Sequence, residues 1–159
     1  MRRSQLAGLQ WGDLNFRLLT LRLRAETSKT RRSWTVPISE DRRDELLRLK
    51  VLSEQVIGKK LTIETPVFQV ALFNPRYSPG GLTVDQISGA FRRIHQSTGI
   101  RISPHRLRHT MATIIANRPN PPLPLLKNQL GHTQLSTTLL YVSHDVEALR
   151  PLRAMLPEI

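Results

Sequence analysis

Two pairs of side chains in the second half of the chain have types and spacings that suit phosphate chemistry. The first pair is His105 and Arg108, which lie three residues apart directly after Ser103-Pro104, a sequence that favours the start of a helix. Side chains at this spacing share a helix face, and a helix N-terminus presents free amides and a positive dipole to an anion. The pair therefore indicates a phosphate clamp, while a basic helix end without a ligand would give the same pattern.

The second pair is His132 and Tyr141, which lie nine residues apart. His132 follows Gly131, where a short helix is expected to end. A histidine or a tyrosine in this setting, taken alone, is more typical of half-buried packing than of catalysis. Two cations far upstream, Arg2 and Lys29, precede both pairs, and it is this ordered set that points to chemistry.

A helix and a hairpin are expected to position the two upstream cations. Residues 2–10 have the pattern of a helix, and residues 18–23 alternate apolar and basic residues as a strand does. Residues 33–36 are typical of a second strand. The polar turn between these strands would place Lys29 near the tip of an antiparallel hairpin.

Start and stop signals predict the helices that follow. Ser39 is a favourable N-cap for a helix that extends to about Val56. Its expected core stripe consists of Leu46, Leu49, Leu52 and Val56.

Residues 67–68 are expected to form a short strand. Further helices are expected between Thr83 and Gly99, from Ser103 to about Asn117, up to Gly131, from a cap at Ser136 through Tyr141, and from Asp145 onward. These elements predict an α+β fold that is mainly helical, with a small antiparallel sheet and no domain boundary.

The charge balance indicates a polyanionic partner. The chain has 24 lysine and arginine residues against 12 acidic residues, which gives a net charge of +12. Nucleic acid is the commonest partner of such a domain, although a ribosomal-type protein, a surface for anionic lipid, or simple solubility would also fit. The sequence has no cysteine, which excludes disulfides and thiolate zinc sites. It also has no apolar segment typical of a signal peptide or a membrane span, so we expect a cytoplasmic protein without membrane contact.

Four sequence boxes in order resemble the catalytic domain of the tyrosine recombinase (phage integrase) family. Arg-x-Ser-Gln-Leu-x-Gly-Leu-x-Trp-x-Asp-Leu at 2–14 is similar to its first arginine box, and Ser-Lys-Thr-Arg at 28–31 to its lysine hairpin. His-Arg-Leu-Arg-His-Thr at 105–110 is similar to its His-x-x-Arg box. Leu-Gly-His-x-x-x-x-Thr-Thr-x-x-Tyr at 130–141 is similar to its nucleophile box. The resemblance covers the chain from Arg2 to about Asp145.

The resemblance implies that Tyr141 is the nucleophile. His105 would manage protons near it, and Lys29 would protonate the departing 5′ oxygen. A phenol has a pKa of about 10 and is only about 0.1% ionised at neutral pH, so a tyrosine nucleophile needs help in losing its proton. A lysine suits the acid role because crowding by cations or desolvation lowers its pKa.

The resemblance also implies that Arg2 and Arg108 grip the scissile phosphate and that His132 assists them. The site would need no metal and no cofactor, because permanently charged guanidinium groups can donate in a bidentate fork to the phosphate oxygens. His109 gains no catalytic role and is expected to be a core or supporting residue, while His144 is expected to be exposed.

Double-stranded DNA is the implied partner, and the resemblance suggests that four copies assemble as a homo-tetramer on it. Residues 1–159 would form one catalytic domain, without the family's first helix and its upstream core-binding domain. Two departures from the family pattern are Gln5, where an acidic residue is usual, and the proline cluster at 119–124, where glycine is usual.

Two other functions fit part of the pattern. A type IB topoisomerase shares the chemistry but relaxes supercoils instead of exchanging strands. A catalytically silent DNA-binding fragment would share the charge and the fold without cutting DNA. Formation of a covalent adduct with DNA separates the silent fragment from the recombinase, and relaxation without a specific site separates the topoisomerase.

Overall fold

Six helices and one small antiparallel sheet are present in the part of the chain that the computed structural model describes, residues 1–27, 31–74, 76 and 80–142. The predicted fold class, α+β and mainly helical, is confirmed. None of these helices is both long and apolar enough to cross a membrane.

The chain divides into two compact units, Met1–Arg108 and His109–Ile159, where no boundary was expected. Lys29, His144 and the helix expected from Asp145 lie outside the described residues.

The sheet of the first unit consists of three antiparallel strands in the order β1-β2-β3. Strand β1 is Leu14–Asn15, β2 is Thr20–Leu23 and β3 is Trp34–Pro37. The predicted hairpin is therefore confirmed, with β2 beginning two residues late because the chain turns at Leu19, which has a φ of 51°. Strand β1 was not predicted, because two residues are too few to show an alternating pattern.

Alternation along β2 and β3 directs one face of the sheet into the core. Leu21 pairs with Val36, and both are buried, while Arg22 and Thr35 between the inward positions are exposed. The core of this unit consists of Leu9, Trp11, Leu21, Leu23, Val36 and Val67. This core fixes the hairpin strands that lead to and from residue 29.

Residues 67–68 do not form the expected strand. The Val67 amide donates to the Leu9 carbonyl at 2.9 Å, and the Leu82 amide donates to the Phe68 carbonyl at 3.0 Å. These bonds tie the segment to two different neighbours, and isolated bridges form only at the flanking residues Pro66 and Gln69. Val67 is buried and Phe68 is partly buried, as expected of a strand, but the pair lacks a continuous partner.

Helix α2, Glu40–Ile57, begins at the predicted cap, where the Ser39 side chain accepts from the Arg42 amide. The expected core stripe is only half correct. Leu46 and Leu49 pack against the core, whereas Leu52 and Val56 are exposed. The buried face continues instead through Ser53, whose hydroxyl donates to the Leu49 carbonyl at 2.7 Å.

Helix α1, Arg3–Ala7, and helix α3, Val84–Thr98, lie in contact. The Arg3 guanidinium donates to the Ser88 hydroxyl at 2.9 Å across this contact. The predicted start of α3 after Thr83 is confirmed, and a capping box forms there, because the side chains of Thr83 and Gln86 accept from each other's backbone amides. Its predicted end at Gly99, which has a φ of 71°, is confirmed as well.

Helix α4, Pro104–Ala116, starts with the predicted serine cap and proline. The Arg106 amide donates to the Ser103 hydroxyl at 3.2 Å, which satisfies one of the free amides of the first turn. The boundary between the two units falls inside this helix, after Arg108. The cap therefore fixes the turn that carries His105.

The second unit contains helix α5, Leu123–Leu130, and helix α6, Ser136–Leu139. Helix α5 ends at Gly131, which has a φ of 64°, as predicted. The prediction for α6 was wrong in two respects: Ser136 is its first residue and not its cap, and α6 ends before Tyr141. Tyr141 lies in the following turn, where its amide donates to the Thr138 carbonyl at 3.1 Å. The buried core of this unit consists of Ala112, Ala116, Leu126 and Leu130.

Candidate active site

Arg2 is the residue that directly precedes helix α1, and its backbone is fixed by a buried neighbour. The Arg2 amide donates to the Gln5 side-chain oxygen at 2.7 Å, and only 1% of Gln5 is exposed. The neutral amide of Gln5 therefore still holds the arginine backbone, although it carries no charge to pair with the guanidinium. Glutamine in place of the usual acidic residue at position 5 therefore keeps the hydrogen bond to the Arg2 backbone but not an ion pair with the Arg2 side chain.

Arg2 and Arg108 supply two cationic groups in the first unit. Arg108 is buried, with 8% of its surface exposed, and Arg2 Nη1 is buried without a hydrogen-bond partner among the described residues. Burial lowers the pKa of the Met1 amine, and the charges of Arg108 and then of Arg2 lower it further. Both guanidinium groups are thus near the same amine. An anion is the natural ligand for two such groups.

His105 lies in the first turn of helix α4, three residues before Arg108. The His105 side chain is exposed, so it is accessible to a ligand that binds at this end of the helix. The predicted placement of these two residues on the first turns of one helix is confirmed. Because residues three apart share a helix face, the histidine and the buried arginine project from the same side of α4.

Lys29 lies outside the described residues, but the chain that leads to it is firmly held. Arg24 forms an ion pair with Asp13, whose carboxylate oxygen lies 3.2 Å from Arg24 Nε, and it also donates to the Gln10 side chain and to the Gly8 carbonyl. The Thr27 hydroxyl donates to the Arg24 carbonyl at 3.0 Å. We call these contacts the Asp13–Arg24 network. It fixes the end of strand β2 to the segment that follows helix α1.

The second unit contains His132 and Tyr141, which the structure brings together. Their rings are nearly parallel, with an angle of 10° between the planes and 6.2 Å between the centroids. His132 Nδ1 lies 3.0 Å from the hydroxyl of Thr138, a fully buried residue. When this hydroxyl donates to Nδ1, the proton of the neutral imidazole is on Nε2, which can then donate to a phosphate oxygen.

The environment of Tyr141 includes two residues of helix α4 that lie in the same unit. The His109 ring meets the Tyr141 ring edge-on, with 5.0 Å between centroids. The Asn117 side-chain amide donates to the Tyr141 carbonyl at 2.9 Å. His109 is exposed, so the core alternative is wrong and its contact is that of a supporting residue.

Asn117 and Thr138 were not identified from the sequence as part of the site. The sequence did not predict a role for Asn117, because it follows the last apolar residue of α4 and polar residues are common at the end of a helix. Its spacing of eight from His109 places both on one helix face and was an available signal. Thr138 lies six residues after His132. It is one of the two threonines that define the box at 130–141, which was an available signal, but the box alone does not show that its hydroxyl contacts His132.

The match to known families identifies the kind of protein to which this fold and these residues belong. The model of the Phage integrase family matches residues 1–148, and the chain belongs to this family. The matched span contains all six candidate residues: Arg2, Lys29, His105, Arg108, His132 and Tyr141.

Individual relatives carry the names of tyrosine recombinases. The chain is 31% identical over 158 residues to tyrosine recombinase XerD of Xanthomonas campestris, a match that covers 97% of this chain and 47% of the relative. It is 29% identical over 153 residues to tyrosine recombinase XerC of Thermodesulfovibrio yellowstonii, covering 94% and 48%. The chain spans about a third to a half of the length of the curated relatives it matches.

Solved structures share the fold. The crystal structure of XerA recombinase is 22% identical, with a TM-score of 0.68 over 99% of this chain and 54% of that chain. The Tn1549 transposon integrase in complex with a circular intermediate DNA is 22% identical, with a TM-score of 0.69 over 98% and 55%. The helices and the small sheet described above therefore form a known recombinase architecture.

Proposed function

We propose that this chain is the catalytic domain of a site-specific DNA recombinase or integrase that cuts and rejoins DNA through Tyr141. One observation carries the proposal: in a chain of this family, the charges of the buried Arg108 and of Arg2 act on the same Met1 amine, and Arg2 Nη1 is buried with no partner among the described residues. A phosphodiester supplies the anionic oxygens that such a pair binds best. The stack of His132 on Tyr141 supports the assignment of the nucleophile.

The proposed reaction exchanges one phosphoester for another. The Tyr141 phenol oxygen attacks phosphorus as the bond to the 5′ oxygen breaks, which leaves a 3′-phosphotyrosyl ester and a 5′ hydroxyl. His105 manages the proton of the phenol, and Lys29 gives a proton to the departing oxygen. The new ester conserves the bond energy, so a 5′ hydroxyl can reverse the step without ATP.

Fixed cations stabilise the charge that develops during this attack. Arg2 and Arg108 would hold the non-bridging oxygens of the phosphate, and His132 would donate to one of them. Such donors are effective because their orientation is set before the reaction begins. The Gln5 bond to the Arg2 amide and the burial of Arg108 are the described features that would provide this orientation.

Double-stranded DNA is the proposed substrate, and four copies of the chain would assemble on it during strand exchange. The net charge of +12 supports binding to a polyanion. The solved neighbour in complex with a circular intermediate DNA supports the choice of DNA. We take residues 1–159 as one catalytic domain, since the family match covers most of this span.

A nicked suicide DNA substrate, from which the cut fragment diffuses away, tests the proposal. The wild-type chain should accumulate a covalent protein–DNA adduct on its target site, and Tyr141→Phe should accumulate none. Failure of both to form an adduct while both bind DNA would instead identify a catalytically silent DNA-binding fragment. Relaxation of supercoiled DNA that lacks a specific site would identify a topoisomerase-like enzyme.

A further inference from the structure

We propose that His109 and Thr113 on one face of helix α4, together with Asn117, which directly follows the helix, position the nucleophile Tyr141. We call them the α4 stripe. The inference deepens the proposed function and rests on it, because it concerns how the attacking phenol is held. All of the contacts that support it lie within the second unit.

Asn117 holds the backbone of the nucleophile. Its side-chain amide donates to the Tyr141 carbonyl at 2.9 Å and to the Thr113 carbonyl at 2.8 Å. One amide group thus links the end of α4 to a residue 24 positions later in the chain. An amide nitrogen has two hydrogens, so it can make both bonds at once.

His109 holds the ring of the nucleophile. Its imidazole meets the Tyr141 ring at an angle of 69°, with 5.0 Å between centroids, which is a favourable edge-to-face geometry. The phenol ring also contacts His132, whose ring is nearly parallel to it. The phenol is therefore restrained by two imidazoles of different orientation.

The spacing of the stripe explains why one helix can make both contacts. His109, Thr113 and Asn117 follow one another at intervals of four, and residues at this interval share a helix face. The Thr113 hydroxyl lies 3.4 Å from His109 Nδ1. Thr113 thus connects the residue that contacts the ring to the residue that bonds the carbonyl.

Helix α6 is too weak to orient Tyr141 by itself. It has only four residues, no side-chain cap, and ends at Leu139, before the nucleophile. Isolated helices of this length are unstable in water. The longer helix α4 supplies the rigid support that the turn after α6 lacks, which matters because a small displacement of a nucleophile strongly slows attack.

The first test separates the carbonyl bond from the added charge. Asn117→Asp keeps the shape but replaces the donor with a carboxylate that repels the Tyr141 carbonyl. We expect single-turnover cleavage of the nicked suicide substrate to slow by about 10- to 100-fold, because the nucleophile is displaced. Asn120→Asp introduces the same charge three residues away on an exposed side chain and should cleave at the wild-type rate.

The second readout detects whether only the nucleophile has moved. A DNA strand that ends in a 3′-(p-nitrophenyl phosphate) can be joined to a 5′ hydroxyl without Tyr141: the hydroxyl oxygen bonds to phosphorus, and p-nitrophenolate leaves. Asn117→Asp should join this strand at the wild-type rate while it cleaves slowly. A parallel loss of joining, or unchanged cleavage, would overturn the inference.

The third test concerns the ring contact. His109→Ala should slow cleavage, and His109→Phe should restore most of the rate, because a phenyl ring can also meet Tyr141 edge-on. Cleavage as slow in His109→Phe as in His109→Ala would contradict positioning by ring packing. If wild-type protein forms no adduct at all, it is the proposed function that fails; if the wild type cleaves and the variants do too, only the stripe is refuted.

Discussion

At the scale of single residues, Arg2 and Arg108 of the first unit are the feature that most indicates an anionic ligand. Removing a cation from water is costly unless an anion or several acceptors surround it. Arg108 is 8% exposed, and Arg2 Nη1 is buried with no partner among the described residues. Both groups also repel the proton of the Met1 amine. A phosphate bound by both arginines would supply the acceptor that Arg2 Nη1 lacks among the described residues.

Replacement of Arg108 by alanine tests this interpretation. We expect cleavage by Arg108→Ala to be slower by a factor of about 10² to 10³, equivalent to about 3–4 kcal/mol of barrier, as for other preorganised donors. DNA affinity should change little, because many other basic residues share the contacts to phosphate. Arg106→Ala, on the exposed side of the same helix, is the matched control and should cleave normally at saturating DNA. A loss of affinity as large as the loss of cleavage would argue against a role in the transition state.

The candidate residues themselves could be predicted from the sequence, but their supports could not. His132 and Tyr141 were identified by type and order, and the structure places their rings together. Asn117 supports the site through a hydrogen bond to the Tyr141 carbonyl, and Thr138 through one to the His132 ring. Such bonds leave no periodic signal, since they depend on where a turn brings two residues.

At the scale of elements, the strand that leads to Lys29 is anchored through the Asp13–Arg24 network. The network connects strand β2 to Gly8 and Gln10, which follow helix α1. The Ser4 hydroxyl adds a bond to the Thr27 carbonyl at 2.9 Å. The helix that begins after Arg2 and the hairpin arm before Lys29 are thereby held together.

Removal of the charge from Asp13 should weaken this connection. Asp13→Asn keeps the acceptor for the Gln10 amide but leaves Arg24 without its ion pair, so we expect a loss of about 2 kcal/mol in the free energy of unfolding. Urea denaturation gives this value directly. Asp44→Asn breaks the exposed pair with Arg43 and should cost less than about 0.5 kcal/mol. If both substitutions lowered the free energy of unfolding by the same amount, the Asp13–Arg24 network would stabilise the fold no more than an exposed ion pair does.

Caps and glycines made most helix boundaries predictable, whereas the buried faces were less so. The ends of α3 and α5 follow local rules at Thr83, Gly99 and Gly131, and all three predictions are confirmed. The stripe of α2 was misplaced because Ser53, a polar residue, takes a core position by bonding to the helix backbone. A pattern of apolar residues cannot reveal such a buried polar residue, so the pattern wrongly predicted that the neighbouring Leu52 is in the core.

At the scale of the whole molecule, the net charge of +12 should dominate the affinity for DNA. Each phosphate that is neutralised releases counterions, so affinity falls steeply as salt rises. We expect a plot of log K against log salt with a slope of roughly −5, which corresponds to about six phosphate contacts. Fluorescence anisotropy with a labelled duplex measures it. A slope near zero would mean that the basic surface does not contact the DNA backbone.

The same salt series should separate affinity from chemistry. Cleavage measured at saturating DNA should depend weakly on salt, because Arg108, which would hold the phosphate, is buried and therefore poorly screened. The slope of log K against log salt should therefore report the contacts of the basic surface, and the salt dependence of cleavage should report those of the site.

The attachment point of the DNA tests the central claim most directly. Protease digestion of the trapped adduct, followed by mass spectrometry, should find a nucleotide 3′-phosphate on the peptide that contains Tyr141, and the released DNA strand should begin with a 5′ hydroxyl. Attachment at another residue, or a released strand that begins with a 5′ phosphate, would contradict the account.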